Sequence, residues 1–251
     1  MHLSFLVAWQ LLTAIPLGRR DLMLGQPGRS MAWFSLIGLI IGALLAASDF
    51  LLGRVWPALP ASALLLIVWV AITGGLHLDG FIDCCDGLLV AKPAEQRLEI
   101  MKDSRVGAFG VVGAVCLLLV KFASLVALPA PERWSWLLVV PALSRWTMVW
   151  VAWRYPTARP DGFAVWFRQG LNWPHIVVAG GTALVAALAI RGVSGLISFV
   201  AIWIFALLFA MWVQRRIPGL TGDVYGALNE LSEVVGLLLA VALGGITTYP
   251  I

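Results

Sequence analysis

Gly74–Gly110 reads GGLHLDGFIDCCDGLLVAKPAEQRLEIMKDSRVGAFG, an acid-, glycine- and cation-rich island in a chain that is otherwise almost continuous hydrocarbon. Apolar runs at about 58–75 and 107–128 flank it, each with the roughly 17–25 residues of a transmembrane helix once frayed ends are allowed for. Five more such runs fall at about 31–53, 135–152, 173–190, 196–213 and 230–248. The island is thus a polar connection between membrane spans. The fold expected is all-α: a polytopic helical membrane protein of about seven transmembrane helices. A shorter apolar run, Leu3–Leu17, is interrupted by Pro16 and predicts an N-terminal interfacial or re-entrant helix. It has no basic flank and no small-residue cleavage site, so a removable signal peptide is not expected.

Composition excludes the main alternatives. Of 251 residues, 61% are hydrophobic and 12% charged, and the mean hydropathy is +0.94. A soluble domain carries about twice that charge fraction. An outer-membrane barrel would alternate apolar and polar residues instead of running them together. No internal repeat is evident and no loop is long enough for a separate soluble unit, so residues 1–251 read as a single domain. Cys84, Cys85 and Cys116 form no C-x-x-C pair and no disulfide framework, and the adjacent pair reads as small, buried filler.

The net charge of +4 is read through topology and not as a nucleic-acid footprint; nothing in the chain resembles a nucleic-acid module. Segments 18–30, 76–106, 153–172 and 214–229 hold 3, 4, 3 and 2 Lys and Arg, whereas the alternate loops hold only Arg54, Arg133 and Arg191. That alternation places the four basic segments, island included, in the cytoplasm. Trp33, Trp56, Trp134, Trp136, Trp153, Trp173 and Trp212 lie near predicted span ends, as an interfacial aromatic belt would.

Within the island Asp79, Asp83 and Asp86 are spaced i, i+4 and i+7, which puts three carboxylates on one stripe of a helix. Like charges so placed repel, and a divalent cation removes the conflict. Mg²⁺ suits such a stripe because it takes oxygen ligands and shares substrate phosphates. His77 stands beside the stripe as a candidate base or substrate contact. Lys102, Ser104 and Arg105, with Asp103 among them, precede Gly107 and Gly110 at a span start, a natural anion site. Arg145 lies near the middle of the fourth span and needs a partner or a wet cavity. Lys121, nearer the outer end of its span, is able to snorkel. Asp223, Asn229, Glu230 and Glu233 form a second polar cluster entering the last span. Asp49 reads as interfacial. Arg159, in ARPDGF beside Asp161, reads as a phosphate contact more than as a turn.

Four segments, GGLHLDGFIDCCDGL, EIMKDSRVGAFG, LSRW and LTGDVYGALNE, resemble in order and spacing those of the cobalamin synthase family (adenosylcobinamide-GDP ribazoletransferase), and the resemblance runs essentially end to end. Relatives commonly carry small residues where this chain has Cys84-Cys85; no charged motif position is lost. The resemblance implies a Mg²⁺-dependent phosphotransferase of the bacterial or archaeal cytoplasmic (inner) membrane, its active site facing the cytoplasm. Its substrates would be adenosylcobinamide-GDP and α-ribazole or α-ribazole 5′-phosphate, with GMP released and the nucleotide loop of vitamin B12 completed. It implies Asp79, Asp83 and Asp86 as metal ligands, with Asp103, Asp223, Glu230 and Glu233 completing the carboxylate set. His77 or Asp83 would take the hydroxyl proton, while Lys102 and Arg105 would act on the phosphate. Arg145, Ser104, Arg159 and Asn229 would contact substrate. The lipid bilayer is the expected surrounding. A homo-oligomer, or association with other cobalamin-assembly enzymes, stays open.

Two rival readings are weaker. Asp83-Cys-Cys-Asp86-Gly87 looks like half of the motif of CDP-alcohol phosphotransferases, but the second half, with its two further aspartates, is missing. A transporter relaying protons through Arg145, Glu230 and Glu233 would not concentrate its charges at one membrane face, nor lack an inverted repeat.

Overall fold

The computed structural model describes residues 3–17 and 27–244. Arg19 and Arg20, and the 230–248 run from residue 245 onward, lie outside the described residues. The described residues form helices joined by short connections: α1 (Leu3–Leu12), a 3-10 segment (Pro27–Trp33), α2 (Phe34–Leu52), α3 (Ala58–Thr73), α4 (Leu76–Leu88), α5 (Ala94–Ile100), α6 (Ala108–Ala127), α7 (Ala130–Arg154), α8 (Phe163–Arg168), α9 (Trp173–Gln214) and α10 (Gly222–Gly244). Among the described residues the only β pairing is an isolated parallel bridge between Thr157 and Leu220.

Among the described residues five helices are long and apolar enough to cross a membrane, and a sixth crossing follows if α3 and α4 are taken as one broken span. The 42-residue α9 carries two of the runs expected from sequence. A straight helix of that length would measure about 63 Å, twice the roughly 30 Å of a bilayer core. It folds back at Gly192, whose φ of 55° and ψ of −128° are open to glycine and not to helix. Beyond the fold, Gly195 lies directly on the carbonyl of Ala187, a contact no continuous helix allows between residues eight apart. At about 15 Å, α1 is too short to cross, in keeping with the short N-terminal helix expected.

The bundle is built around α7, buried along most of its length. Its most extensive partner is α2, held close by Gly38 and Gly42. A Cβ on Gly38 would stand 2.7 Å from Ala142 Cα, and one on Gly42 2.7 Å from Leu138 Cα. With no hydrophobic drive between helices in lipid, such backbone approach supplies the packing energy. The aromatic belt holds at Trp56, Trp134, Trp153 and Trp173, which are exposed, but not at Trp136. That ring is fully buried, with the Arg191 guanidinium 4.4 Å above it. Arg191 also pairs with Glu132, and Arg133 with Asp49, so these helix ends are tied by ion pairs. Lys121 does not snorkel; it is buried among α3, α6 and α10.

One bend positions the polar island. Gly74 and Gly75 adopt left-handed φ of 64° and 69°, and α4 leaves α3 at 93°. Consecutive left-handed residues are costly for any side chain but glycine. The turn lays α4 across the end of the bundle, against α10 and α6. Ala14, just beyond α1, donates its N–H to the Ile72 carbonyl at 2.7 Å and closes the N-terminal segment over the bend.

Candidate active site

Helix α4 meets the first turn of α10 backbone to backbone. A Cβ on Gly80 would stand 2.9 Å from both the Cα and the carbonyl oxygen of Asp223, and one on Gly226 3.1 Å from the carbonyl oxygen of His77. This crossing brings Asp79 and Asp83 beside Asp223. Thr221 starts α10: its Oγ1 accepts from the Val224 N–H at 3.3 Å and donates to the Asp223 carboxylate at 3.1 Å. The carboxylate stripe is graded in burial, with Asp79 exposed, Asp83 half-buried and Asp86 buried. Asp83 lies in the combined field of Asp223, Asp79 and Asp86. Arg159 stands near enough to Asp223 to offset part of that charge. Among the described residues Asp79, Asp83 and Asp223 make no ion pair with Lys or Arg.

Those three are therefore free to hold a cation at this crossing. No three His, Cys, Asp or Glu side chains among the described residues close into a ready-made metal cage. Mg²⁺ does not ask for one, since it keeps waters and takes its remaining ligands from substrate phosphates. An oxygen-only, mutually repelling, unpaired donor set fits that ion.

Asp86 has another task. Its Oδ2 accepts from the Gly107 N–H and its Oδ1 from the Gly110 N–H, both at 2.8 Å, so it caps α6 from a different helix. A Cβ at Gly107 or Gly110 would run into that carboxylate. The turn it anchors carries Lys102, Ser104 and Arg105, all exposed. Arg105 is clasped by Asp103, with Nη2 2.6 Å from Oδ2, and its hydrogen bonds hold the Asp103 carboxyl down at about 2. The turn thus presents cations beside the Asp86 end of the stripe, with Asp103 engaged by its own neighbour.

Arg145, Glu230 and Glu233 go to a separate place. Lys121 donates to both glutamates, and Arg145 donates to Glu233. All four are buried, Arg145 and Glu233 completely. The Asn229 amide bridges Glu233 Oε1 at 3.3 Å and His77 Nδ1 at 3.2 Å. The structure thus gathers these residues into a buried chain ending at His77, with Arg145 and Glu233 engaged by each other and not facing the site. Lys121, the hub of this chain, is absent from the sequence-derived site; its signal was a lysine inside an apolar run.

His77 is where the chain reaches a cavity of about 210 Å³, bounded also by Asp79, Gly80, Asp223 and Tyr225. Apolar residues from α1, the 3-10 segment, α2, α4, α7 and α8 and two glycines of α10 make up the rest of its wall. A second cavity of about 130 Å³, lined by Arg159, Asp161 and Thr221, shares Asp223 and Phe163 with the first. Arg159 reaches it from the 156–162 segment, tied down by donation to the Leu98 carbonyl at 2.6 Å. Tyr225 and the Phe163–Phe167 wall were not anticipated from sequence, where such residues read as ordinary apolar filler.

Comparison with known proteins places the chain in a family. The adenosylcobinamide-GDP ribazoletransferase of Geotalea daltonii is 38% identical over 247 residues, 96% of this chain and 98% of that protein. The protein of the same name from Desulfitobacterium hafniense is 40% identical over 243 residues, covering 94% and 96%. That of Chlorobaculum tepidum is 37% identical over 244 residues, 94% of each. No solved structure matches the chain. The family model for cobalamin-5-phosphate synthase matches residues 4–241, and the chain belongs to that family.

Proposed function

We propose that this protein joins adenosylcobinamide-GDP to α-ribazole or α-ribazole 5′-phosphate. A ribose hydroxyl oxygen bonds to the phosphorus attached to cobinamide, the P–O bond to GMP breaks, and GMP leaves with that electron pair. The product is adenosylcobalamin or its 5′-phosphate. The observation carrying the reading is the unpaired carboxylate set Asp79, Asp83 and Asp223, held at one backbone crossing in a membrane protein of this family. When bound, Mg²⁺ would neutralise charge on the pyrophosphate and help the GMP oxygens leave; Asp79, Asp83 and Asp223 would hold it.

The remaining work falls to the chain's own groups. Arg159, and the exposed Lys102 and Arg105, are placed to receive phosphate oxygens at either side of the carboxylates. The hydroxyl proton passes to His77 or to Asp83, both at the crossing. Asp86 fixes the 101–107 turn relative to the stripe. The basic segments 76–106 and 153–172 lie at the same end of the bundle as the site, which supports a cytoplasmic orientation in the cell membrane.

The test is GMP release by the reconstituted protein from adenosylcobinamide-GDP and α-ribazole phosphate, with Mg²⁺ or with EDTA. Mg²⁺-dependent GMP and a cobalamin product, both lost in Asp83→Asn, are expected. Undiminished activity in EDTA, or in Asp83→Asn, would remove the metal stripe from the reaction; no product from well-folded wild type would remove the reaction itself.

A further inference from the structure

The lining of the 210 Å³ cavity has an apolar part and a carboxylate part. In the apolar part Phe34 meets Phe167 edge-on at 6.0 Å, and Phe163 stacks on Phe167 at 6.4 Å. Met31 and Met148 add polarizable sulfur to it. The polar part is His77, Asp79 and Asp223. Tyr225 also lines the cavity; it is 4% exposed, and its hydroxyl has no hydrogen-bond partner among the described residues. A buried hydroxyl without a partner carries a desolvation cost that a ligand can relieve.

We propose that the apolar part seats the aromatic base of the acceptor nucleoside, an uncharged fused two-ring heterocycle of benzimidazole type. This rests on the transferase reading above and adds to it where, and in which direction, the acceptor sits. The base lies against the Phe34–Phe167 wall, Tyr225 Oη bonds a ring nitrogen or ribose oxygen, and the ribose hydroxyls come to the Asp79–Asp223 part, where the reacting phosphate must arrive.

Other occupants fit less well. Whole small-molecule ligands usually occupy roughly 300–1,000 Å³, so this cavity takes part of a substrate. A corrin macrocycle with its amide arms is too large. Guanine would bury several exocyclic and ring polar groups against ring faces and thioethers, leaving them unpaired. A lipid chain would match the apolar part and leave the carboxylates and the tyrosine hydroxyl unmet. The donor's phosphates have the adjoining Arg159 cavity, which shares Asp223 with this one.

Two variants of the full-length protein in lipid nanodiscs test the assignment, Met148→Trp to fill the apolar part and Tyr225→Phe to remove one hydroxyl. Titration calorimetry measures α-ribazole binding without donor, and steady-state kinetics measures both KM values. Met148→Trp is expected to weaken α-ribazole binding and raise its KM at least about tenfold, with the donor KM within about twofold, as loss of a packed subsite requires. Tyr225→Phe is expected to raise the acceptor KM about 2- to 10-fold, the worth of one hydrogen bond, with no loss of thermal stability because no internal bond is removed. If Met148→Trp fails to fold, Tyr225→Phe decides alone. A rise in donor KM with acceptor KM unchanged would assign the cavity to the donor and overturn the proposal, as would lipid that copurifies in the cavity and survives saturating α-ribazole. Wild type that binds α-ribazole but yields no GMP would defeat the transferase reading and leave this site standing.

Discussion

Gly80 of α4 rests against the backbone of Asp223 in α10, so closely that a methyl group on Gly80 would stand 2.9 Å from Asp223 Cα. Neither atom has anywhere to go, because the methyl is fixed to one helix backbone and the Cα belongs to the other. Gly80→Ala should therefore push the two helices apart at the point where the carboxylates converge. Overpacking of this kind costs about 1–3 kcal/mol. The expected result is a folded protein with a lowered melting temperature and at least about a tenfold loss of GMP release, about 1.4 kcal/mol on the barrier. Retained activity in a stably folded Gly80→Ala protein would show that the reaction does not depend on this spacing.

Asp83 and Asp86 are one turn apart but should fail in different ways. Asp86 spends both oxygens on the α6 N-terminus, whereas Asp83 makes no ion pair. Removing a cap costs about 0.5–2 kcal/mol, so Asp86→Ala should lower thermal stability while the Mg²⁺ concentration for half-maximal rate moves little. Asp83→Asn should do the reverse. The pair of measurements, melting curves and Mg²⁺ titrations on both variants, separates capping from metal binding. A shifted Mg²⁺ requirement in Asp86→Ala would return that residue to the ligand set.

The buried chain of Lys121, Arg145, Glu230 and Glu233 balances two cations against two anions. Glu233→Gln leaves one positive charge uncompensated in the bundle, a change that costs about 3–5 kcal/mol when a buried pair is broken. The double variant Glu233→Gln/Arg145→Gln restores neutrality, with Lys121 still facing Glu230. It should therefore be more stable than Glu233→Gln alone. Thermal unfolding of the wild type, both singles and the double tests this; a double variant with the summed losses of the two singles would mean that the charges act independently.

What could be read from the sequence follows from which signals are local. The apolar runs are contiguous, so the spans were legible, and so was the aspartate stripe, because i, i+4, i+7 spacing is a property of one helix. The placement of Arg145 needed only the rule that an intramembrane charge finds a partner. Which partner it finds was not legible, since Glu233 lies 88 positions away. Asp86 was grouped with its neighbours because sequence spacing cannot reveal that a carboxylate reaches the N-terminus of another helix. Trp136 was assigned to the interface because span ends and aromatic residues coincide there, and only the packing of α9 on α7 shows its ring to be covered. The cavity wall was hidden for a related reason: phenylalanines lining a site and phenylalanines filling a core look alike in one dimension.

The bend between α3 and α4 should be the most position-sensitive turn in the molecule. Gly75 has a φ of 69°, while the space beside it is open: a Cβ there would meet nothing nearer than Val70 Cγ1 at 3.9 Å. Any loss on substitution is therefore conformational and not steric contact with a neighbouring element. Gly75→Ala should cost about 1–2 kcal/mol, the penalty for an L-residue held left-handed, and Gly75→Asn less, because asparagine tolerates that region. Gly181, exposed within α9 with nothing near it, is the matched control. Alanine there should be neutral or stabilising by up to about 1 kcal/mol. Because α4 carries Asp79 and Asp83 on the arm beyond the bend, Gly75→Ala should lower GMP release more than its stability loss alone accounts for, and Gly75→Asn should recover part of both. Equal melting temperatures and rates across the three Gly75 proteins would mean that α4 is held by its contacts with α10 and α6 alone, and that the left-handed pair merely follows.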